Sequence, residues 1–180
     1  MSNLAQDLSS FAHKISKSQL EPAHVVAIVD SREQRPLCLA PLRSQRGKLV
    51  TGDYSVRGLE HLVAIERKSI QDLIGCIGRD RERFKRELQR LHAYQYRALV
   101  VEGSWAQLER GEYRGKVSPQ SAVGSLLAWA VEGLPVIMAN DAEQASQFVS
   151  RMLFLAARKR WRELWSFGAA TSELVLGGAK

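Results

Sequence analysis

The chain has 180 residues, 45% of them apolar, and its 26 Lys and Arg against 19 Asp and Glu leave a formal charge of +7. That length suits one domain around one core, the apolar share excludes a disordered polymer, and the cationic surplus points to a polyanionic partner. Cys38 and Cys76 lack the spacing of a zinc site or disulfide framework, and the N-terminus lacks the pattern of a signal peptide or membrane span, so a soluble intracellular protein with no membrane partner is expected.

Leu4, Leu8, Phe11 and Ile15 recur at helical spacing, which predicts an amphipathic helix in an N-terminal extension over residues 1–20, packed on its own domain or on a partner. HVVAIVD, residues 24–30, is a continuous apolar run ending in an acid and predicts a central strand buried on both faces. The next twenty residues, SREQRPLCLAPLRSQRGKLV, carry two prolines, a glycine and five basic side chains, and are expected to form a mobile, solvent-facing loop. KLVTGDYSV and HLVAIERK, at 48–56 and 61–68, read as two strands joined by the short RGLE connection.

Ser69 with Asp72 three residues on is a helix-start signal that places the first helical residue at Ile70. Gly75 and Gly78 interrupt that helix, and RDRERFKRELQRLHAY resumes the pattern with Phe84, Leu88 and Leu91 on one stripe. YRALVVEG is another buried strand, Ser118 caps a helix opened by Pro119, and LPVIMA is a short strand. Asn140 and Glu143 are expected to cap a long helix reaching Trp165, with Phe148, Met152 and Leu155 as its apolar stripe, before a loose tail over 169–180. Strands alternating with helices predict an α/β class with a mixed central sheet flanked by helices, in a single domain over 21–168.

Three acids fall at strand ends: Asp30, Asp53 just after Gly52, and Glu66. Adjacent strands joined by a short connection let the carboxylates of Asp53 and Glu66 converge, and alternation aims Lys68 to the same face as Glu66. Oxygen ligands at one sheet end suit Mg2+ or Mn2+, which share their coordination with waters and a substrate phosphate. A neighbouring ammonium can then steady the negative charge that grows on phosphorus oxygens.

GD at 52–53, twelve intervening residues, ERK at 66–68 and, after three more, Asp72 together resemble the GD…ERKxxxD signature of the XPF family of structure-specific endonucleases. VDSRE at 29–33 is similar to that family's upstream motif, and the likeness continues over roughly 24–155. The resemblance implies a restriction-endonuclease-like fold and a metal-dependent endonuclease that hydrolyses DNA phosphodiester bonds, in branched, flap or fork substrates. It implies Asp53 and Glu66 as metal ligands with Lys68 beside them, Asp30 joining directly or through water, and Glu33 contributing to the same shell. Arg32 and Arg67 would engage the scissile phosphate or hold the acids, and Asp72 would orient its neighbours or serve only as a helix cap.

Members of the family usually carry a tandem helix-hairpin-helix domain after the nuclease, which is not found in these residues, so the substrate's branch geometry stays open. Related nuclease domains pair, which makes the last helix's stripe either a dimer surface, with itself or a second subunit, or ordinary packing. The alternative function is a catalytically silent DNA-binding subunit of a nuclease heterodimer. Among basic residues, Arg43, Arg46 and Lys48 are the phosphate candidates without nearby acids. Arg79 and Arg83 either contact DNA or solvate an exposed helix face. The four tryptophans read as core or interface anchors rather than stacking platforms. The expected location is the cytoplasm of a bacterial or phage-infected cell, or the nucleus if the source is eukaryotic.

Overall fold

The structure is a computed structural model and describes residues 20–177. The amphipathic helix expected over 4–16 lies outside those residues. The described chain builds one six-stranded mixed sheet in the order β2-β1-β3-β4-β5-β6. β1 (Val26–Asp30) pairs parallel with the edge strand β2 (Arg43–Gly47) and antiparallel with β3 (Tyr54–Val56). β4 (Val63–Ser69) is antiparallel to β3 and parallel to β5 (Tyr96–Glu102), and β6 (Val136–Ala139) extends the parallel half.

Five helices cover the sheet: α1 (Ile70–Ile77), α2 (Arg81–His92), α3 (Trp105–Arg110), α4 (Pro119–Val131) and α5 (Ala142–Gly177). α5 covers one face through Ala145, Val149 and Leu153, over Val29, Tyr54, Ile65 and Val100. The other four helices cover the second face, where Leu73, Phe84, Leu108 and Leu126 meet Ala64, Leu99 and Val101. Among the described residues no helix is long and apolar enough to cross a membrane.

The parity of β4 decides where the ERK residues go. Val63 and Ile65 belong to the core under α5, and Ala64 belongs to the core under α1 and α2. Side chains alternate along a strand, so Glu66 and Lys68 follow Ala64 toward α2, whereas Arg67 follows Ile65 to the opposite face. Ser69 ends β4 and at once caps α1, its Oγ accepting from Asp72 N at 3.1 Å and donating to Asp72 Oδ2 at 2.6 Å. The helix therefore starts at Ile70, as the spacing predicts.

Several expectations change. The stretch 31–50 is not an open loop: it holds β2, and its leucines 37, 39, 42 and 49 are buried. Tyr54 Oη accepts from Leu37 N at 3.1 Å and pins that segment to the sheet. The strand expected over 48–56 shrinks to Tyr54–Val56, since Gly52 turns the chain. α3 is an additional helix, capped by Ser104 and Gln107. Asp141 replaces Asn140 as the cap of α5, its Oδ1 accepting from Gln144 N at 2.8 Å, while Gln144 accepts from Asn140 N at 2.8 Å. The buried stripe of α5 is Val149, Leu153 and Ala156, with Phe148 and Met152 at its margin and Leu155 exposed. α5 also runs through the stretch expected as a loose tail, to Gly177.

Candidate active site

Asp53 is placed by backbone alone. Its N–H donates to Ile65 O at 2.8 Å and its carbonyl accepts from Asp30 N at 2.8 Å, so the residue is clamped between β1 and β4. Gly52 makes the approach possible: its φ is +80°, and a Cβ there would lie 3.0 Å from Ile65 O. Asp53 Oδ2 then accepts from Arg67 N at 2.8 Å, which fixes the carboxylate beside Glu66.

Glu66 is 2% exposed and its Oε1 forms an ion pair with Lys68 Nζ. Lys68 also lies 3.8 Å from Glu87 Oε1 on α2, and its ammonium stands 5.6 Å from the centre of the Phe84 ring. Burial, with repulsion from Glu33 and Glu87, pushes the Asp53 carboxyl up to about 6 despite the Arg67 N–H and the Lys68 charge. Burial and the Asp53 charge push Glu66 well above the usual carboxylate range, against the pull of Lys68. Desolvation disfavours the Lys68 ammonium, yet Glu66 and Glu87 outweigh it and raise its proton affinity. Three carboxylates thus surround one cation, and the surplus negative charge is what a bound divalent ion would neutralise.

The donor set fits such an ion. Among the described residues no group of three or more His, Cys, Asp or Glu forms a ready-made cage. Mg2+ does not need one, because it is commonly held by one or two carboxylates together with substrate phosphate and water. Thr51 Oγ1, buried in the same wall, has no hydrogen-bond partner among the described residues.

Asp30, 1% exposed, is placed differently from a free ligand. Its oxygens accept from Arg32 Nε at 2.7 Å, Arg32 Nη2 at 3.1 Å, Arg32 N at 2.8 Å and Leu49 N at 2.7 Å. Burial alone would raise its pKa; the guanidinium and N–H donors overcome this and lower it to about 2. Arg32 is anchored again on Leu49 O at 3.0 Å, yet 68% of its side chain stays open to solvent. Arg67, on the other face of β4, is gripped by Glu102 Oε1 at 2.5 Å, Glu33 Oε2 at 3.5 Å and Arg35 O at 2.8 Å. Glu102 and Glu87 are the members that the sequence reading missed. Glu87 sits three residues after Phe84 on the buried stripe of α2, which was the available signal; nothing local marked Glu102 beyond its position at a strand end.

The charged groups line one open trough of about 1490 Å³ that extends along α1 and the side of α2 carrying Arg83, Glu87 and Arg90. Asp72 lies in it as the partner of Ser69. Arg79 and Arg83 also line it, sharing Asp80 Oδ2 at 3.3 and 3.7 Å. Arg43, Arg46 and Lys48 do not line it. Arg46 instead donates to the carbonyls of Asp30, at 3.0 Å, and Glu33, at 2.6 Å. Of the tryptophans, Trp129 packs edge-on against Phe84 with ring centres 5.4 Å apart, whereas Trp165 is 45% exposed.

The fold is similar to that of XPF from Aeropyrum pernix, with 21% identity and a TM-score of 0.60 over 73% of this chain and 61% of that one. It is equally similar to XPF from Aeropyrum pernix in complex with DNA, with 22% identity and a TM-score of 0.60 over 75% of this chain and 66% of that one. The chain spans less than two thirds of the length of either structure, and at this identity the likeness is one of fold, the restriction-endonuclease-like sheet expected from the motifs. No curated protein matches the sequence. The family model described as ERCC4 domain matches residues 14–152, a span that contains the GD turn, the ERK strand end and both helices behind them, and the chain therefore belongs to the ERCC4 domain family.

Proposed function

We propose that this domain is a DNA endonuclease that hydrolyses phosphodiester bonds with the help of Mg2+ or Mn2+. The observation that carries this reading is the forced pairing of two carboxylates, the half-buried Asp53 and the buried Glu66, beside the Lys68 ammonium on the wall of an open trough. Membership of the ERCC4 domain family and the solved complex of an XPF with DNA support DNA as the polymer.

Asp53 and Glu66 would hold the ion, with Thr51 lining the same wall. The chemistry such an ion supplies is acidification of water and neutralisation of charge at the phosphoryl oxygens. Lys68 stays protonated against Glu66 and Glu87 and offers positive charge where the phosphorane oxygens gain negative charge. Asp30 acts through Arg32: it holds the guanidinium at the trough, leaving an exposed cationic edge for a phosphate. Arg67, tied to Glu102 and Glu33 on the far face, serves chiefly to fix the end of β4 and, through its N–H, the Asp53 carboxylate. Branched DNA is the proposed substrate class, and a second copy of the chain docked on the exposed Leu164, Trp165 and Phe167 of α5 is the proposed assembly.

The test is incubation of end-labelled duplex, fork, flap and four-way DNA with Mg2+, beside the Asp53→Asn variant. Wild-type protein should cut at least one of the branched substrates. The variant should lose more than roughly 100-fold in rate, since even outer partners of a metal ligand are worth about 10 to 100-fold. Undiminished cutting by the variant would remove the assignment. Tight binding with no cutting by wild type would make the chain a DNA-binding subunit instead.

A further inference from the structure

The trough is far larger than one phosphate needs, and part of its wall is formed by residues 114–117 of a loop, 111–117, that the chemistry above does not use. The loop is rigidly mounted. Gln71 on α1 holds its backbone twice, donating from Nε2 to Arg114 O at 2.8 Å and accepting from Arg114 N at 3.0 Å, as a strand partner would. Tyr113 closes it from within, its hydroxyl donating to Val117 O at 3.1 Å. Gly115, at φ +139°, lies so close to α1 that a Cβ would come within 3.1 Å of Ile74 Cγ2. Nothing in this bracing involves the two cations that the loop carries. Arg114 and Lys116 line the trough, are exposed, and form no ion pair among the described residues. Arg79 and Arg83, by contrast, are partly spent on Asp80, and Arg110 on Glu112.

We infer that the 111–117 loop, braced on Gln71, is a second phosphate-binding element that grips the DNA backbone through Arg114 and Lys116, away from the bond that is cut. The inference rests on the reading of the trough as a DNA site and adds residues on another part of its wall. The reason is electrostatic. Asp53, Glu66 and Glu87 make the floor of the trough acidic, so a polyanion entering it must be held by cations that those acids do not neutralise. A fixed backbone keeps such cations over the trough at lower entropic cost than a free loop would.

The experiment is a salt titration of DNA affinity in EDTA, with a single strand and a duplex, for wild type, Arg114→Ala/Lys116→Ala and a control, Arg151→Ala/Arg162→Ala. The control removes the same charge from α5, outside the trough. Each phosphate contact contributes about 0.9 to the log–log salt slope on duplex and about 0.7 on single strands, which makes it worth roughly fivefold at 0.15 M relative to 1 M salt. The loop pair should therefore lower the slope by roughly 1.8 on duplex and 1.4 on single strands, and weaken binding at 0.15 M salt by roughly 30-fold on duplex and roughly 14-fold on single strands. The control should keep the wild-type slope. Equal losses in both pairs, an unchanged slope in the loop pair, or no salt-dependent DNA binding by wild type would overturn the inference. Because no cutting is required, full cleavage by Asp53→Asn would remove the active-site assignment while leaving this result standing.

Discussion

Asp53 and Asp30 are joined by one backbone hydrogen bond and are pushed in opposite directions. Asp53 is raised from 3.8 to about 6, so as pH falls the folded protein takes up this proton before the unfolded chain does. Its contribution to stability therefore grows as pH drops from 7 toward 4, and the charged form costs on the order of 2–3 kcal/mol at neutral pH without a bound cation. Asp30, lowered to about 2, works the other way: its contribution is complete above pH 4 and is lost as pH falls through 2, outside the first window. In EDTA, Asp53→Asn should accordingly melt above wild type at pH 7.5 and converge with it near pH 4.5. A variant that melts lower throughout would mean that the carboxylate is stabilising and the site is not primed for a cation. Both acids were legible in the sequence because each ends an apolar run or follows a glycine. What separates them, four donors including the Arg32 guanidinium on Asp30 against the single Arg67 N–H on Asp53, depends on which groups reach them in three dimensions.

At the scale of elements, the segment from the Gly52 turn through α1 assembles most of the site. Its essential joint is Gly52, where a left-handed turn lets the Asp53 N–H reach Ile65 O. Gly52→Ala forces a Cβ against that carbonyl, and such strain costs about 1–3 kcal/mol. The variant should remain folded by circular dichroism yet lose cleavage by at least about tenfold, since a 1 Å misplacement of a reacting group can cost about 100-fold. Wild-type cleavage by Gly52→Ala would show that the turn does not position Asp53. The β4–α1 joint could be read from spacing because strand parity and a serine cap are local rules. β2 could not: it is a strand of exposed polar residues, RSQRG, with no alternation to mark it, and it exists because β1 offers a free edge to pair with. α3, six residues long, was similarly short of any periodic signal.

For the molecule as a whole, α5 sits on the sheet through its stretch up to Ala157, and further along it carries Leu164, Trp165 and Phe167, which are 58%, 45% and 70% exposed. Contiguous apolar side chains of this size are seldom left to water. If a second copy covers them, Trp165→Asp/Phe167→Asp should shift sedimentation from a dimer toward a monomer while leaving the melting temperature of the isolated fold within a few degrees. A double variant that sediments as wild type would exclude this face from self-association. The expected stripe of Phe148, Met152 and Leu155 was displaced because several apolar positions on this helix compete for the sheet, and only packing selects among them.

The outermost strand of the sheet has a further consequence. β2 offers a row of N–H and C=O groups on its free side, the kind of margin along which foreign strands stack into fibrils. Arg43 and Arg46 stand along that margin, exposed, and two approaching copies would bring guanidinium against guanidinium before any ladder could zip. The same arginines that line no part of the trough can thus keep a crowded solution of the protein clear, and their worth would be read in turbidity rather than in turnover.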